Sequence, residues 1–472
     1  RLNGMFAFCI WERDGGRIIL GRDRLGIKPL YFSADQKRIR FSSFLPALLT
    51  EAELDTSINP LALHNYLSFH SVVPAPHTIL NGIHKLPAAS LMTIESNGTR
   101  KFHKYWDLSY PDEPDPHSDP QIWKERVAEA LKRSVKRRMI ADVPVGVLLS
   151  GGVDSSLIVG LLAQEGQKDL NTFSIGFEAV GGEAGDEFRY SDRIAAEFGT
   201  THHKISISKE RLLPNLPGCV RAMSEPMINN DNIGFYLLAE EVSKHLKVVQ
   251  SGQGADELFG GYFWYPPLMH SRNAVEDYSR EFFDRDHREY LQVVTSSFAT
   301  EDFSRAFVSE HFGQPGATSA INKALRIDSL VMLIEDPVKR VDCMTMAWGL
   351  EGRVPFLDHE VVELAAQIPA ELKVGREGKF ILREVAREIV PHEVIDRPKG
   401  YFPVPALKFL RGDFLNLAKD LLLSKKCSQR GIYNSDYLDS LLKAPEEHFT
   451  PLKESKLWQL TMLEFWLQEN AL

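Results

Sequence analysis

Residues 145–160 read VGVLLSGGVDSSLIVG, and the order of residue types in this stretch decides the fold. The apolar run from Val145 to Leu149 predicts a strand buried on both faces of a parallel sheet. The serine- and glycine-rich turn Ser150–Ser156 follows, and the apolar residues after it predict a buried helix. Glycines let backbone N–H groups approach an oxyanion, and a helix N-terminus adds a positive field. Strand, turn and helix in this order therefore predict an anion site.

The side chains of this turn narrow the prediction to a phosphate bound together with a cation. Ser150, Ser155 and Ser156 can donate hydroxyl hydrogen bonds, whereas Asp154 would repel a phosphate unless a cation lay between them. A magnesium ion is the expected bridge, because it binds carboxylate and phosphate oxygens together. The GxxxxGK[ST] loop with its phosphate-binding lysine is absent from the sequence. The pattern SGGxDS resembles the pyrophosphate loop of enzymes that split ATP into AMP and pyrophosphate.

A second turn, at residues 248–257, repeats the same arrangement. The sequence VVQSGQGADE joins an apolar strand to a helix through two glycines. Open parallel sheets bind ligands at the carboxyl ends of their strands, so we expect both turns to face one crevice. Asp256 would then supply a second carboxylate for a magnesium–pyrophosphate complex.

Composition excludes several classes of protein. The chain has 472 residues, enough for two or three domains, and a net charge of −9, which makes nucleic acid a poor partner. Its four widely spaced cysteines form neither a disulfide framework nor a metal motif, as expected of a cytoplasmic protein. No apolar run approaches the roughly 20 residues that a membrane span needs.

The first hundred residues predict a different kind of domain. Short strand patterns without helix–strand alternation indicate part of an antiparallel α+β domain over residues 1–112, and an exposed, proline-rich linker over residues 107–120. The second domain is expected over residues 120–472. The sequence starts at Arg1 inside an apolar strand pattern, from which we expect that an N-terminal part of the first domain is missing. Cys9 lies within a strand pattern and is expected to be a small core residue.

Charged residues in apolar surroundings mark a third region. Two roles are equally compatible with these residues: they form buried ion pairs, or they are weak candidates for substrate recognition. The residues are Asp342, Glu351 and Arg353. Further on, the proline-braced loop at residues 397–403 holds Lys399, which could reach a phosphate or simply be exposed.

Taken together, five motifs resemble the glutamine-dependent asparagine synthetase family, and the likeness runs from Arg1 to the C-terminal tryptophans. The N-terminal residues resemble the later half of a class II glutamine amidotransferase domain. The motifs are SGGVDSS (150–156), SGQGADELFGGY (251–262), MAWGLEGRVPFLDH (346–359), KFILRE (379–384) and RPKGYF (397–402).

The resemblance implies a fold, a reaction and a set of site residues. The fold would be an incomplete Ntn-type α+β glutaminase domain followed by an α/β synthetase domain with a parallel sheet. The reaction would activate a carboxylate as an acyl-adenylate with release of pyrophosphate, and would then aminate it with ammonia derived from glutamine. Asp154 and Asp256 would hold Mg²⁺, and Lys399, Gln253 and Asp256 would act in catalysis. ATP and its pyrophosphate would contact Leu149, Ser150, Gly151, Gly152, Asp154, Ser155, Ser156, Ile175, Ser251 and Gly252.

Three departures from the family pattern leave the acceptor open. Gln253 stands where enzymes that make asparagine often have glutamate, Lys399 is followed by Gly-Tyr-Phe, and Pro-Ala-Ala-Ser follows Leu86. These features resemble the N-acetylglutaminylglutamine amidotransferases, which amidate a dipeptide.

Two further classes of protein stay compatible with the motifs. One is a non-catalytic synthetase-like binding protein, and the other is a different kind of pyrophosphate-loop enzyme. The expected partners are ATP, a small carboxylate acceptor and ammonia or glutamine, and a homodimer stays open.

Overall fold

The computed structural model describes residues 2–35, 38–50, 53–111, 119–178, 185–375, 377–397 and 410–472. The N-terminal part is built mainly from two small antiparallel sheets. The first has the strand order β1-β2-β6-β7 and the second the order β4-β3-β5. The strands are β1 Ala7–Glu12, β2 Arg17–Arg22, β3 Tyr31–Ala34, β4 Ile39–Ser42, β5 His84–Lys85, β6 Ser90–Ile94 and β7 Arg100–Lys104.

Two of these strands have no recognisable strand pattern in the sequence. Strand β5 is only two residues long, and all five residues of β7 are exposed. Neither has the apolar alternation that marks a strand in sequence. These two strands are therefore established only by the structure.

The C-terminal part is organised around a five-stranded parallel sheet of order β10-β9-β8-β11-β12. The chain leaves the central strand β8 to one side through β9 and β10, and returns on the other side as β11. The carboxyl ends of β8 and β11 therefore flank the topological switch point, where such sheets bind ligands. The strands are β8 Val145–Leu148, β9 Asn171–Phe177, β10 Thr201–Ile207, β11 Val248–Gln250 and β12 Glu351–Arg353.

Helices cover both faces of this sheet, and two neighbouring residues of β8 show why the strand is continuously apolar. Val147 packs into one hydrophobic core and Leu148 into the other, because successive strand residues point to opposite faces. The predicted α/β class and parallel sheet are confirmed.

The helices of the described residues are mostly short. Among those residues, no helix is both long enough and apolar enough to cross a membrane. The helices are α1 Pro60–Ser68, α2 Pro120–Arg137, α3 Val153–Gln164, α4 Phe188–Phe198, α5 Leu212–Arg221, α6 Asn232–Val242, α7 Ala255–Phe259, α8 Tyr265–Leu268, α9 Ala274–Phe282, α10 His287–Val293, α11 Phe303–Gly313, α12 Ala320–Ile327, α13 Lys339–Met346, α14 His359–Gln367, α15 Ala370–Val374, α16 Phe380–Ala386, α17 His392–Ile395, α18 Asp413–Leu422, α19 Lys425–Arg430, α20 Ser435–Lys443 and α21 Lys456–Glu469.

The segment predicted as an exposed linker is partly buried. Leu108 and Tyr110 are each 2 % exposed, and the Tyr110 N–H donates to the Gly316 carbonyl at 2.7 Å. These two apolar side chains complete the core that also contains α2 and α3. The prediction of an exposed linker is therefore wrong for this stretch, and residues 112–118 lie outside the described residues.

Candidate active site

The two glycine turns meet at the switch point of the sheet. Gln250, at the end of β11, pairs with Val147 of β8, so Ser150 and Ser251 leave the sheet at nearly the same level. A methyl group placed on Gly252 would lie 3.1 Å from Asp154 Cβ. The turns are therefore in contact, although about 100 residues separate them in sequence.

Hydroxyl groups hold the first turn in shape. The Ser155 Oγ atom accepts the Ser150 N–H at 3.2 Å and lies 3.1 Å from Ser150 Oγ, which in turn accepts the Gly152 N–H at 3.2 Å. Gly151 has a φ of +73°, and a Cβ atom there would lie 2.8 Å from Ser191 N on α4. Glycine is thus required at this position both by conformation and by the close approach of α4.

A lysine whose side chain is 12 % exposed joins the two turns electrostatically. The Lys379 Nζ atom lies 2.6 Å from Asp154 Oδ2 and 2.8 Å from Asp256 Oδ2. Burial lowers the pKa of Lys379, but the two carboxylates outweigh burial and raise that pKa well above its usual range. The lysine therefore stays protonated, and the three side chains carry a net charge of −1.

Gly261 is what allows this cluster to be so compact. A Cβ atom at this position would lie 2.2 Å from Asp256 Oδ1 and 2.4 Å from Lys379 Cε. The motif residue therefore leaves room for the ion pair.

A protonated carboxyl group lies behind the cluster. Burial, and then the charge of neighbouring Asp256, raise the pKa of Glu257 to about 8. The Tyr262 hydroxyl donates to Glu257 Oε1 at 2.7 Å. Glu257 thus retains its proton near neutral pH, which keeps a third negative charge away from the site.

The turns border an open cleft of about 330 Å³. Two paired arginines lie on its wall: Arg340 donates to Asp231 at 2.6 Å, and Arg397 donates to both carboxylate oxygens of Glu187 at 2.8 and 3.0 Å. The cleft offers carboxylates, guanidinium groups, hydroxyls and backbone N–H groups within one cavity, which suits a ligand that is both anionic and polar.

Most of the candidate residues from the sequence line this cleft, and a few do not. Gly151 packs against α4 instead, and Ser156 is fully buried. Lys399 lies outside the described residues. The candidates that line the cleft are Leu149, Ser150, Gly152, Asp154, Ser155, Ile175, Ser251, Gly252, Gln253 and Asp256.

The three weak candidates for substrate recognition are not among the lining residues. Asp342 pairs with Lys28 at 2.8 Å, and Arg353 pairs with Glu351 at 2.7 Å. The guanidinium of Arg353 also donates to the carbonyls of Arg138 and Ile140, both at 2.8 Å. Their contacts favour structural ion pairs over substrate recognition, because each charge already has its partner within the protein.

Sequence reasoning missed Lys379 as a site residue. The KFILRE motif predicts only a helix, and Lys379 is its N-cap, with a left-handed φ of 54°. A lysine at a helix start has no spacing signal, since its two partners lie more than 100 residues away. An exception to local rules, a positive φ at a non-glycine residue, is visible only in the structure.

Cys9 is located in strand β1 and packs against the small core of the N-terminal sheets. Burial raises the pKa of its thiol, which disfavours the reactive thiolate. This placement agrees with its predicted role as a core residue.

The parallel sheet, the paired glycine turns and the carboxylate–lysine cluster define an α/β protein with a charged, polar cleft at the switch point of its sheet. Comparison with protein families is more specific. Residues 126–468 match the asparagine synthase family and residues 1–106 match the glutamine amidotransferase domain. The chain belongs to the asparagine synthase family.

Curated relatives agree with this family membership. The chain is 32% identical over 512 residues to asparagine synthetase [glutamine-hydrolyzing] 1 of Bacillus subtilis, covering 100% of this chain and 78% of that protein. It is 28% identical over 425 residues to asparagine synthetase [glutamine-hydrolyzing] 3 of the same organism, covering 85% and 67%. A putative asparagine synthetase of Mycobacterium bovis is 31% identical over 462 residues, covering 89% and 70%. These names do not confirm the dipeptide subgroup.

Proposed function

We propose that this protein is an ATP-dependent amide ligase of the asparagine synthetase type. The single observation that carries the proposal is the contact between the two glycine turns, with Lys379 bridging Asp154 and Asp256. An ordinary structural turn needs neither a second turn nor a carboxylate pair. The relatives named above support the same activity.

In this proposal the first turn binds the phosphates of ATP. Backbone N–H groups of the turn and the hydroxyls of Ser150 and Ser155 would donate to phosphate oxygens. Leu149 and Ile175 would contact the base of ATP. Ser251 and Gly252 would contact the nucleotide from the other side of the cleft. All of these residues line the cleft.

The residues at the cleft suit Mg²⁺ as well as ATP. Asp154 and Asp256 supply hard oxygen ligands on adjacent turns, and the cluster with Lys379 has a net negative charge. These two aspartates would hold the ion, which would supply positive charge to the pyrophosphate when bound.

The proposed reaction has two steps, the adenylation of the acceptor and the displacement of AMP by ammonia. A carboxylate oxygen of the acceptor attacks the α-phosphorus of ATP, and the bond to pyrophosphate breaks. The nitrogen of ammonia attacks the acyl carbon, a proton is lost, and AMP leaves with the electrons of the broken C–O bond. Lys379 would hold a fixed positive charge beside the departing pyrophosphate, and such preorganised charge is worth about 3 kcal/mol in the transition state. A similar role in stabilising charge is assigned to Lys399 only by the resemblance of its motif to the asparagine synthetase family.

Glutamine is the proposed source of ammonia, because residues 1–106 match a glutamine amidotransferase domain. The half-buried thiol of Cys9, with its raised pKa, is not a good nucleophile for that half-reaction. The four cysteines are free, which suits the reducing cytoplasm in which we expect the protein to act.

Pyrophosphate release is the decisive measurement. The protein would be given ATP, Mg²⁺ and ammonium salt with either aspartate or N-acetylglutaminylglutamine, and the amide product would be identified. We expect pyrophosphate and AMP in equal amounts, with Asp154→Ala and Lys399→Ala inactive but folded. Asp192→Ala, which removes an exposed partner of Lys204, serves as the control.

Turnover with each of the two acceptors distinguishes between the two candidate functions. Turnover with aspartate supports asparagine synthesis, whereas turnover only with the dipeptide places the protein in the dipeptide subgroup. No pyrophosphate with either acceptor, or wild-type turnover in Asp154→Ala, would contradict the proposal.

A further inference from the structure

A cluster of three metal-ligating side chains lies on the α1, α10 and α11 elements, none of whose residues line the proposed ATP cleft. His64 is on α1, His287 is the first residue of α10, and Asp302 is the N-cap of α11. One ligand atom from each lies within 4.8 Å of the other two. We propose that His64, His287 and Asp302 form a binding site for a divalent ion of the zinc class.

The distances suit such an ion. His64 Nε2 lies 3.1 Å from His287 Nδ1 and 3.8 Å from Asp302 Oδ1. Two nitrogens bound tetrahedrally to Zn²⁺ at about 2.0–2.1 Å lie about 3.3 Å apart. The histidine pair already has nearly this spacing, and Asp302 Oδ1 lies about half an ångström farther from His64 Nε2 than this spacing.

The hydrogen bonds around His64 orient its free nitrogen toward the site. The Ser304 hydroxyl donates to Asn65 Oδ1 at 2.9 Å, so its oxygen is available to accept the His64 Nδ1–H at 2.8 Å. This tautomer leaves a lone pair on Nε2. A ligating histidine commonly donates its other ring nitrogen in this way. The backbone N–H of Ser304 lies 3.4 Å from the same nitrogen and would donate to it only in the other tautomer, in which Nε2 carries the proton.

His64 is the most buried of the three proposed ligands. Its side chain has no exposed surface, and the ring packs 4.2 Å from that of Tyr290, centroid to centroid. Asp302, whose side chain is 30 % exposed, leaves a path for an ion from solvent.

Helix caps fix the remaining two ligands. Asp286 accepts the Glu289 N–H at 2.7 Å and so sets the start of α10, immediately before His287. Asp302 accepts the Arg305 N–H at 3.1 Å. A bound ion would join helix α1 of the N-terminal part to two helices of the C-terminal part. Without a metal, the two histidines would share only a hydrogen bond from His287 Nδ1–H to His64 Nε2.

Metal titration distinguishes the ion site from the simple hydrogen bond. The full chain, stripped with a chelator and kept in excess MgCl₂ to occupy oxygen-only sites, would be titrated with ZnCl₂ and with CoCl₂. We expect one equivalent of tightly bound Zn²⁺, a Co²⁺ absorption band typical of a tetrahedral site, and a rise in Tm with Zn²⁺.

Variants locate the ion. Asp302→Asn retains an N-cap residue but loses the anionic ligand, and His287→Gln removes a nitrogen ligand outside the core. Each should lose the one bound equivalent of Zn²⁺ and the rise in Tm, whereas the control Asp119→Asn, which changes the N-cap of α2 and none of the three helices that carry the ligands, should retain both. Ser304→Ala should weaken binding by about 10- to 100-fold, as loss of an orienting hydrogen bond does.

Two results would overturn the proposal. One is a wild-type protein that binds no equivalent of Zn²⁺ under these conditions. The second is equal binding by the wild type and both ligand variants, which would place the ion elsewhere. Both readouts are independent of pyrophosphate release, so they do not depend on the proposed function.

Discussion

At the residue scale, the proposed active site is centred on a cluster of three charged side chains. Lys379 separates Asp154 from Asp256, and each N–O distance is below 3 Å. Without the lysine, two carboxylates would face each other inside a partly buried cleft, and their mutual repulsion would resist ionisation of both. The cation therefore makes it possible for the two turns to carry their charges side by side.

Replacing that lysine tests its role directly. Lys379→Met keeps most of the side-chain volume and removes the charge. We expect pyrophosphate release to fall by about 100-fold or more, because one preorganised donor beside the leaving group is lost. The control is Lys204→Met, which breaks an exposed ion pair of little energetic value. Wild-type turnover in Lys379→Met would show that the lysine is only structural.

Glu257 gives a prediction about pH at the same scale. Its pKa is about 8 in the folded protein and about 4.5 when unfolded. The contribution of Glu257 to the stability of the folded protein is therefore fully present below about pH 4.5 and is lost as the pH rises through about 8. Glu257→Gln should remove this dependence on pH. The free energy of unfolding of the variant minus that of the wild type should therefore be larger at about pH 9 than at about pH 5. Parallel urea-unfolding profiles for the two proteins would contradict the raised pKa of Glu257.

At the scale of elements, the second turn depends on one glycine that places helix α7. Gly254 is the N-cap of α7 with a φ of +95°, and a Cβ atom there would lie 2.4 Å from Leu357 Cδ2. Asp256 is the second residue of this short helix. The position of the carboxylate is thus set by how closely α7 packs against the segment that carries Leu357.

Gly254→Ala should combine backbone strain with a steric clash. Gly199 offers a matched control, because its φ is +63° and nothing lies within 4 Å of a Cβ atom there. Overpacking costs about 1–3 kcal/mol, so we expect Gly254→Ala to be less stable than Gly199→Ala by about that amount. Urea unfolding measures the difference. Equal losses in the two variants would mean that the site at Leu357 relaxes without cost.

At the scale of the whole molecule, buried ion pairs hold the N-terminal part to the C-terminal part. Lys85 is 2 % exposed and lies 2.6 Å from Glu335 and 3.0 Å from Glu225. Burial raises the pKa of Glu335, but Lys85 and Lys339 outweigh burial, so that pKa lies below its ordinary value of 4.5. The charge of Glu335 therefore contributes stability above about pH 4.5, and this contribution is lost as the pH falls.

Lys85→Met should destabilise the whole chain. Removing one partner leaves buried carboxylates without their cation, which costs about 3–5 kcal/mol. Lys104→Met, which breaks an exposed pair with Asp107 in the same N-terminal part, should change the free energy of unfolding by less than about 1 kcal/mol. If the two variants unfolded at the same urea concentration, the cluster would not stabilise the contact between the two parts.

Much of this architecture could be predicted from the sequence because its determinants are local. The apolar run before Ser150, the glycines after it and the repeat at Ser251 define strands, turns and helices by period and composition alone. The apolar run at Val145–Leu149 forms strand β8, Val145–Leu148, and the apolar residues after the first turn lie in helix α3, as predicted. Since parallel strands end at one edge of a sheet, local patterns also predict that the two turns meet.

Only the tertiary structure decided which charges act together. Lys379 and Asp154 are 225 positions apart, and no spacing rule connects them. The same holds for Asp342, whose partner Lys28 is 314 positions away, and for Tyr110, which is buried in a core formed by distant segments. Sequence periodicity specifies the environment of each segment, whereas charge pairing depends on distances of a few ångströms between segments, and these distances exist only once the chain is packed.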